Sequence, residues 1–210
     1  MTFDHKPTYI TRKVPLPSDN LGSALYEWWG LMQHHGAPTR LLDWTSSPYV
    51  AAYFACESSD DKTGAIFVAY PAAANAELKK LFPTGVFSDD QWLNPSSPSL
   101  LYFFDQKKRT ARLVAQQGHF SASLNILRKH DELMADAVRP LASANPQGLF
   151  LRRWLIPAKL KPDLLKHLMV MNVTANALFP GIDGLGRSVC ETVRLMTRKM
   201  TLKKLKSDSV

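Results

Sequence analysis

The sequence predicts an α+β domain in which a mixed sheet packs against helices. Apolar residues near the N-terminus recur at helical spacing, and three short apolar runs have the length and composition of strands. Strands and helices follow one another without the regular spacing of βαβ units. The 210 residues are 45% hydrophobic and 21% charged, which is typical of a single globular domain with a real core.

The first elements lead to a turn at Gly36. Residues 1–17 hold three prolines and little periodicity, so we expect a flexible lead. Polar residues at 18–20 provide candidate N-caps for a helix. Its apolar positions form one stripe: Leu21, Leu25, Trp28, Trp29 and Met32. Gly36 and Pro38 then impose a change of direction.

The next segments alternate between helix and strand. Ser47 and Pro48 form an N-cap and N1 pair for a helix over Tyr49–Glu57, which is apolar on nearly every side. The run 65–70 lacks alternation, as expected of a central strand covered on both faces. A short helix over 72–82 precedes a long surface loop or lid over 83–99.

The remaining segments are predicted with the same rules. In chain order they are a strand at 100–104, a helix at 109–117 closed by Gly118, a mixed helical stretch at 124–138, a break at 140–146, a strand at 149–157, a helix opening at Pro162 and Asp163, a short helical piece to Phe179, a glycine-rich turn at 181–186 and a final helix from about Arg187. The glycines of 181–186 lack the order of a phosphate-binding motif, so a turn is favoured over a phosphate cradle.

Charge and cysteine content limit the function classes. The net charge is +8, but +5 of it lies between Arg187 and the C-terminus. The basic tail, residues 201–210, is therefore either a solvated helix end or a weak contact for nucleic acid. Cys56 and Cys190 lie in apolar helical patterns and predict reduced core thiols in a cytoplasmic protein. No apolar run reaches membrane-spanning length, so we expect no membrane partner.

A polar stretch, Gln33–Ser47, lies between two strongly apolar blocks and is the main candidate site. It begins with His34 and His35, which are adjacent and so poorly placed to bind one metal ion together. No set of Cys, His and carboxylate residues at metal-ligand spacing accompanies them, and we predict no metal site. One histidine is expected to hold the following turn and the other to face a pocket.

Two interpretations of the middle of this stretch stay open. Arg40 and Trp44 share a face in a helix or a strand, and Asp43 joins them only in a helix. Arg40 and Asp43 either form a buried pair, with the guanidinium stacked on Trp44, or contribute to a pocket for an anion or nucleotide. In the second case Arg40 binds phosphate, Trp44 stacks on a ring, and the hydroxyls of Thr45 and Ser46 add hydrogen bonds.

A second polar stretch, residues 116–121, contains Gln116, Gln117 and His119 between apolar neighbours. It is either an exposed helix end or part of the same site. We predict that His34 or His35 converges with Arg40, Asp43 and Gln117 on one pocket.

The run QHHGAPTRLLDWTSSPYVAAYFA, residues 33–55, closely resembles the central motif of the FRG domain, a mostly bacterial family without an established activity. Residues 112–121 and 178–185 resemble later motifs of that family, so the resemblance covers roughly residues 25–190. The Phe/Tyr-Arg-Gly motif that names the family is missing, since Tyr9–Lys13 is the closest segment upstream of Gln33. We therefore expect an FRG-type domain at 18–200, shortened at its N-terminus relative to the family.

A weaker analogy links the polar strand, the helix carrying Ala-Tyr-Phe-Ala and the following strand to the core of ADP-ribosyltransferases. In those enzymes an N-terminal Arg or His, a middle hydroxyl residue and a late Glu or Gln hold NAD. The analogy would make Thr45 or Ser46 the middle residue and Gln117 the late one, with NAD as cofactor only if it holds. The two resulting hypotheses are an enzyme, or enzyme remnant, acting on a nucleotide or nucleotide-bearing substrate, and a non-catalytic binding or regulatory module.

Residues His34, His35, Arg40, Asp43 and Gln117 form the predicted catalytic set. The predicted cofactor-binding set is Arg40, Trp44, Thr45 and Ser46.

The basic tail provides a first prediction. Deleting residues 203–210 should lower the melting temperature by no more than a few degrees, because charged chain ends bury few contacts. If the tail binds nucleic acid, the deletion should also flatten the salt dependence of binding to a single-stranded oligonucleotide. A fall in melting temperature of more than about 5 °C would show that the tail packs against the domain.

Overall fold

The structure is a computed structural model that describes residues 21–58, 61–82, 91–92, 94, 100–106, 109–144 and 151–207. The predicted flexible lead, the cap residues 18–20, most of the loop 83–99 and the last three residues of the tail lie outside the described residues. The fold is α+β, as predicted, with small antiparallel sheets and a large helical content.

The helices and strands run as follows: α1 Leu21–His34, β1 Leu41–Thr45, α2 Pro48–Glu57, β2 Gly64–Ala69, α3 Pro71–Leu81, β3 Leu101–Phe104, α4 Ala111–Ala115, β4 Gly118–Ser123, α5 His130–Ala144, β5 Leu151–Ile156, a 3-10 turn Ala158–Leu160, α6 Lys161–Val170, α7 Ala175–Leu178 and α8 Ile182–Ser207. None of the helices in the described part of the chain combines the length and the apolar composition that crossing a bilayer requires.

The chain divides into two compact units that are each built from several segments. The first unit comprises Met1–Trp44, Val68–Thr110 and His119–Arg152, and the second comprises Thr45–Phe67, Ala111–Gly118 and Arg153–Val210.

A three-stranded sheet in the order β1-β4-β3 organises the first unit. Strands β3 and β4 are antiparallel, with Leu101 opposite Ser123 and Phe104 opposite Phe120. The ring centroids of that phenylalanine pair lie 6.0 Å apart. Side chains of β4 are buried along almost its whole length, which places this strand in the interior of the unit.

The core of the first unit lies between this sheet and α5. Its buried members are Leu101, Phe103, Leu133 and Met134, with Trp44, Ala69 and Leu151 packed around them. Asn75 of α3 also pairs with β3 through its side chain: Oδ1 accepts from the amide of Phe103, and Nδ2 donates to the carbonyl of Phe103, both at 3.1 Å. The side-chain amide thereby satisfies strand backbone groups.

The second unit contains helices α2, α4, α6, α7 and α8 together with most of β2 and β5. Its core contains Val50, Tyr53, Cys56, Leu165, Leu168, Ala175, Leu178 and Phe179. The predicted start of α2 is confirmed, because Ser47 Oγ accepts a hydrogen bond from the amide of Val50 and Pro48 occupies the first turn. Lys161 is only 1% exposed, and its Nζ donates to the backbone carbonyls of Ser58 and Lys62 beyond the end of α2.

The expectation of a buried central strand at 65–70 was wrong. Strand β2 pairs with β5 in a two-stranded sheet, and the side chains of Phe67 and Val68 are 41% and 37% exposed. An apolar run without alternation shows only that no face is strongly polar, so it cannot reveal how many layers cover the strand.

Strand β4 was not predicted, and the helix before it ends differently from the prediction. Helix α4 stops at Ala115, and Gln117 adopts a left-handed conformation with φ +47°. Gly118 has another role than closing the helix, because a Cβ there would lie 2.4 Å from Leu113 Cδ1. Gly118 therefore permits the close approach of its own backbone to the side chain of Leu113.

The expected break at 140–146 was also wrong over its described part, since α5 continues through Pro140 to Ala144. An internal proline removes one backbone hydrogen bond. Burial of Leu133 and Met134, which are 0% and 4% exposed, holds α5 against the sheet in spite of that loss.

The glycine-rich segment 181–186 is not the predicted turn, because α8 already begins at Ile182. Only Gly181, with φ +113°, has a turn conformation that favours glycine. Gly184 lies within the helix, where a Cβ would stand 1.9 Å from the carbonyl oxygen of Phe179. At this position α7 and α8 therefore pack backbone against backbone.

Two alanine substitutions in this segment separate packing from helix propensity. Gly184→Ala should lower the free energy of unfolding by about 1–3 kcal/mol, because the methyl group collides with backbone that cannot rotate away. Gly186→Ala, where a Cβ meets nothing within 4 Å, should raise it by about 0.5–1 kcal/mol. Urea denaturation followed by circular dichroism measures both, and equal effects of the two substitutions would contradict the close packing of α7 on α8.

Candidate functional site

Within the first unit, β1 pairs with β4, so the parts of the two polar stretches that belong to this unit lie beside each other. The division between the units falls inside the candidate site, after Trp44. The first unit contains His34, His35, Arg40, Asp43 and Trp44, and the second contains Thr45, Ser46 and Gln117.

Arg40 stacks on tryptophan, although not on the one that the sequence suggested. Its guanidinium carbon lies 4.8 Å from the ring centroid of Trp29 and 5.7 Å from that of Trp92. The two indoles contact each other edge to face at 5.2 Å. Trp92 is 2% exposed, so this part of the predicted surface loop is buried.

The hydrogen bonds of Arg40 go to the end of β4. Nη1 donates to the carbonyl oxygens of Ser123 at 3.2 Å and Leu124 at 3.4 Å. The acceptors are carbonyl groups rather than the carboxylate of Asp43, so the interpretation as an Arg40–Asp43 pair is replaced by this arrangement. Burial lowers the pKa of Arg40 below its usual value.

Arg40 lines a cleft of about 460 Å³ in the first unit, here called the Arg40 cleft. Its walls come from α1, the turn before β1 and the segment between β4 and α5. The lining residues are Trp29, Met32, Pro38, Thr39, Arg40, Ser123, Ile126, Arg128 and His130. The cleft thus combines an apolar wall with two guanidinium groups and an imidazole.

Arg128, unlike Arg40, is neutralised by carboxylates. Its Nη1 lies 2.8 Å from Asp136 Oδ2, and its Nε lies 3.6 Å from Glu132 Oε2. The hydrogen bond with Asp136 raises the pKa of Arg128. Arg40 is therefore the cation of the cleft whose charge is left for a ligand to match.

His130 lines the cleft and contains a buried ring nitrogen without a partner among the described residues. The ring makes a hydrogen bond with the backbone of Ser121, and within the described part of the chain its buried Nε2 has no partner. Nδ1 is then the nitrogen that donates to the Ser121 carbonyl, which leaves a lone pair on Nε2. Burial lowers the pKa of His130 despite the opposing effect of that bond and of Asp131, so the ring is neutral near pH 7.

The paired histidines lie at the end of α1 and are not among the residues that line the Arg40 cleft. Their ring centroids are 5.0 Å apart and nearly perpendicular. Gly36 follows with φ +85°, and the amide of His35 donates to the carbonyl of Met32 at 3.1 Å. Across the described ranges, no three His, Cys, Asp or Glu residues are grouped so that they could hold a metal ion.

Trp44 connects β1 with β4. Its Nε1 donates to the hydroxyl of Ser121 at 2.9 Å, and its ring centroid lies 5.4 Å from that of Phe103. Because residues 41–45 form a strand, Asp43 points to the face opposite Trp44, and it is exposed. On the second polar stretch, His119 Nδ1 forms a hydrogen bond with Asp105 Oδ1.

In the second unit, Thr45 and Ser46 contact the turn between α4 and β4. Thr45 Oγ1 donates to the carbonyl of Gln116 at 2.7 Å and accepts from the amide of Ser47 at 3.0 Å. The amide of Ser46 donates to the carbonyl of Gln117 at 3.1 Å. Arg40 and Gln117 belong to different units, and their convergence on one pocket stays a prediction.

Sequence reasoning missed Trp29, Trp92, Arg128 and His130 as site residues. In the sequence, Trp29 is one of several apolar residues on a face of an amphipathic helix, so nothing distinguishes it as a site residue. Trp92 lies in a stretch with the composition of a loop. Arg128 and His130 carry no motif. The undetected β4 ends at Ser123, shortly before Arg128 and His130, and so helps to place these two side chains near Arg40.

Comparison with known proteins supports one assignment. Residues 8–64 match the family model of the FRG domain, a range that includes the stretch Gln33–Ser47. No curated protein and no solved structure matches the chain. The analogy with the ADP-ribosyltransferase core gains no support from these comparisons.

The buried neutral histidine predicts a pH dependence of stability. Below about pH 6.5 the unfolded chain binds a proton at residue 130 that the folded chain resists, so stability falls as the pH drops from about 7 towards the lower folded pKa. Urea midpoints of the wild type and of His130→Gln, measured from pH 8 to pH 5, isolate this contribution. The advantage of the wild type over the variant should shrink across that range, and a constant difference would contradict a lowered pKa of His130.

Proposed function

Because the chain is an FRG domain-containing protein, matched over residues 8–64, we propose that its Arg40 cleft binds a nucleotide or a nucleotide-bearing substrate. The observation that carries the proposal is Arg40 itself, a partly buried cation on an indole platform whose hydrogen-bond acceptors are neutral carbonyls.

The phosphate group is the part of the ligand that Arg40 would bind. Both hydrogen bonds that the structure describes for this side chain use Nη1. The N–H groups of Nη2 and Nε therefore remain for two parallel bonds to phosphate oxygens. Stacking on Trp29 and the bonds to β4 hold the guanidinium in place before a ligand arrives, which lowers the entropy lost on binding.

The rest of the cleft suits a nucleoside. Trp29, Met32 and Ile126 provide an apolar wall for a flat ring, and Ile126 is 58% exposed, so its surface is open to a ligand. His130 Nε2 would accept a hydrogen bond from a ribose hydroxyl or a base amino group. A bare phosphate ion would contact only Arg40, whereas a nucleotide would contact both Arg40 and the apolar wall.

The reaction, if one follows binding, would draw on the predicted catalytic set of His34, His35, Arg40, Asp43 and Gln117. NAD is the cofactor only if that chemistry is of the ADP-ribosyltransferase type, so the proposal is confined to the nucleotide-binding step. Cytoplasmic localisation likewise stays a prediction.

A non-catalytic module that contacts nucleic acid is the second candidate. It is supported by the length of α8, which carries Lys203, Lys204 and Lys206 on one continuous helix that runs to Ser207. Phosphate contacts of such lysines are independent of base sequence and weaken with salt.

Calorimetric titration with AMP, adenosine, inorganic phosphate and NAD tests the cleft. AMP should bind more tightly than adenosine or phosphate, because it alone among these three matches both Arg40 and the apolar wall. Arg40→Ala should weaken AMP binding by about 10–100-fold, the loss expected for hydrogen bonds to a charged group. Arg40→Lys should recover little of it, since an ammonium group cannot make two parallel bonds.

Arg152→Ala is the matched control, since Arg152 is exposed on β5 and outside the cleft. It should leave the affinity for AMP unchanged. Melting curves of each variant exclude unfolding as the cause of a loss. Equal binding of AMP by the wild type and Arg40→Ala, or no binding of AMP or NAD by the wild type, would contradict the proposed function.

A further inference from the structure

A separate cavity of about 290 Å³ lies within the second unit, between α2 and α8, and is here called the Glu191 cavity. It is lined by Tyr53, Glu57, Arg187, Cys190, Glu191 and Arg194. Its volume is close to the lower end, about 300 Å³, of the range for small-molecule pockets. A ligand that fills it is therefore small.

Glu191 leaves one buried oxygen unmatched. The residue is 9% exposed, and its Oε2 accepts a hydrogen bond from the hydroxyl of Tyr53 at 3.4 Å. Among the described residues, its buried Oε1 has no hydrogen-bond partner. A buried carboxylate oxygen without a donor is costly, and a ligand N–H group placed there would remove that cost.

Burial raises the pKa of Glu191, although Arg194, Tyr53 and the amide of Ala175 each act in the opposite direction. Burial likewise raises the pKa of Glu57. In both carboxylates the effect of burial exceeds that of the neighbouring arginines, which are Arg187, Arg194 and Arg112 for Glu57 and Arg194 for Glu191.

Arg187 supplies a weakly matched cation to the same cavity. Its nearest carboxylate contact is long, with 3.9 Å between Nη1 and Glu57 Oε2. The guanidinium carbon lies 4.2 Å from the ring centroid of Phe179, and this stacking fixes its plane while 53% of the side chain stays exposed. Donor N–H groups of Arg187 are therefore held in position for an anion.

We propose that the Glu191 cavity binds a small zwitterion of the α-amino acid class. The ligand ammonium group would donate to Glu191 Oε1, and the ligand carboxylate would accept from Arg187. A simple amine would leave Arg187 weakly matched, and a simple carboxylate would leave Glu191 Oε1 without a donor. This site is independent of the nucleotide proposal, since no residue of the Arg40 cleft takes part in it.

The thiol of Cys190 can report whether the Glu191 cavity is occupied. It has two cysteines, of which Cys190 is exposed and lines the cavity, whereas Cys56 is 0% exposed. Iodoacetamide should therefore alkylate Cys190 in the folded protein, and a ligand in the cavity should slow that reaction. Alkylation of Cys56, read by peptide mass spectrometry, would reveal a variant that has unfolded.

The experiment follows Cys190 alkylation of the full chain at constant pH with L-alanine, propylamine or propionate, and isothermal calorimetry accompanies it. L-Alanine should protect saturably, with a Kd of about 1 mM, the weak affinity expected for so small a ligand. Propylamine and propionate lack one of the two charges and should each bind about tenfold more weakly.

Two variants separate the two contacts. Glu191→Gln keeps an acceptor for Tyr53 but places an amide donor where Oε1 lies, so it should abolish protection by L-alanine. Arg187→Gln should weaken L-alanine at least tenfold while leaving propylamine binding unchanged. Asp163→Asn, an exposed carboxylate on α6, is the matched control and should behave as the wild type.

Any of three results would overturn the proposal. The first is that about 10 mM L-alanine gives neither protection nor binding heat, and the second is that propylamine or propionate equals L-alanine in the wild type. The third is unchanged L-alanine binding by Glu191→Gln in protein whose Cys56 stays unlabelled.

Discussion

The central strand β4 is the constraint on which the first unit depends. Both β1 and β3 pair with it, and the end of β4 provides polar acceptors for three side chains from other elements. Arg40 donates to the carbonyls of Ser123 and Leu124, Trp44 donates to the hydroxyl of Ser121, and His130 bonds to the backbone of Ser121. Buried donors require acceptors, and a strand that ends beside a cleft provides them at fixed positions. The Arg40 cleft is therefore a consequence of where β4 ends.

Trp29, which precedes the Gln33–Ser47 stretch, and Trp44, which lies within it, have different roles. Trp44 packs on the core through Phe103 and uses its indole N–H on Ser121, so it is occupied in joining two strands. Trp29 comes from the helix before the stretch and carries the guanidinium of Arg40 on its ring. Trp29 is therefore the residue that stacks on Arg40, whereas Trp44 joins strands β1 and β4. Of the predicted cofactor-binding set, Arg40 alone lines the cleft, whereas the hydrogen bonds of Thr45 and Ser46 hold the α4–β4 turn.

Buried polar groups within the second unit are satisfied to different degrees. In the second unit, the buried ammonium group of Lys161 is bonded to two carbonyl groups. Glu191 belongs to the same unit, and its Oε1 has no hydrogen-bond partner among the described residues. Burial raises the pKa of this carboxyl group. Because buried polar groups in native proteins are nearly always matched, the unmatched oxygen of Glu191 is the observation on which the proposed ligand site rests. The same reasoning connects His130 Nε2 with the Arg40 cleft.

Local chemistry in the sequence determined the α+β class, the Ser47–Pro48 start of α2, the turn at Gly36, strands β3 and β5 and the FRG-type motif, because caps, glycines and periodicity act within a few residues of the chain. The sequence could not show that β4 exists, since Gly118–Ser123 is a mixed run that becomes a strand only by pairing on both sides with β1 and β3. Nor could it place Trp29, Arg128 and His130 around Arg40, because residues up to about 100 positions apart meet there through pairing that no local pattern encodes. Strand propensity depends on neighbours across the sheet, and those neighbours are supplied by the tertiary structure alone.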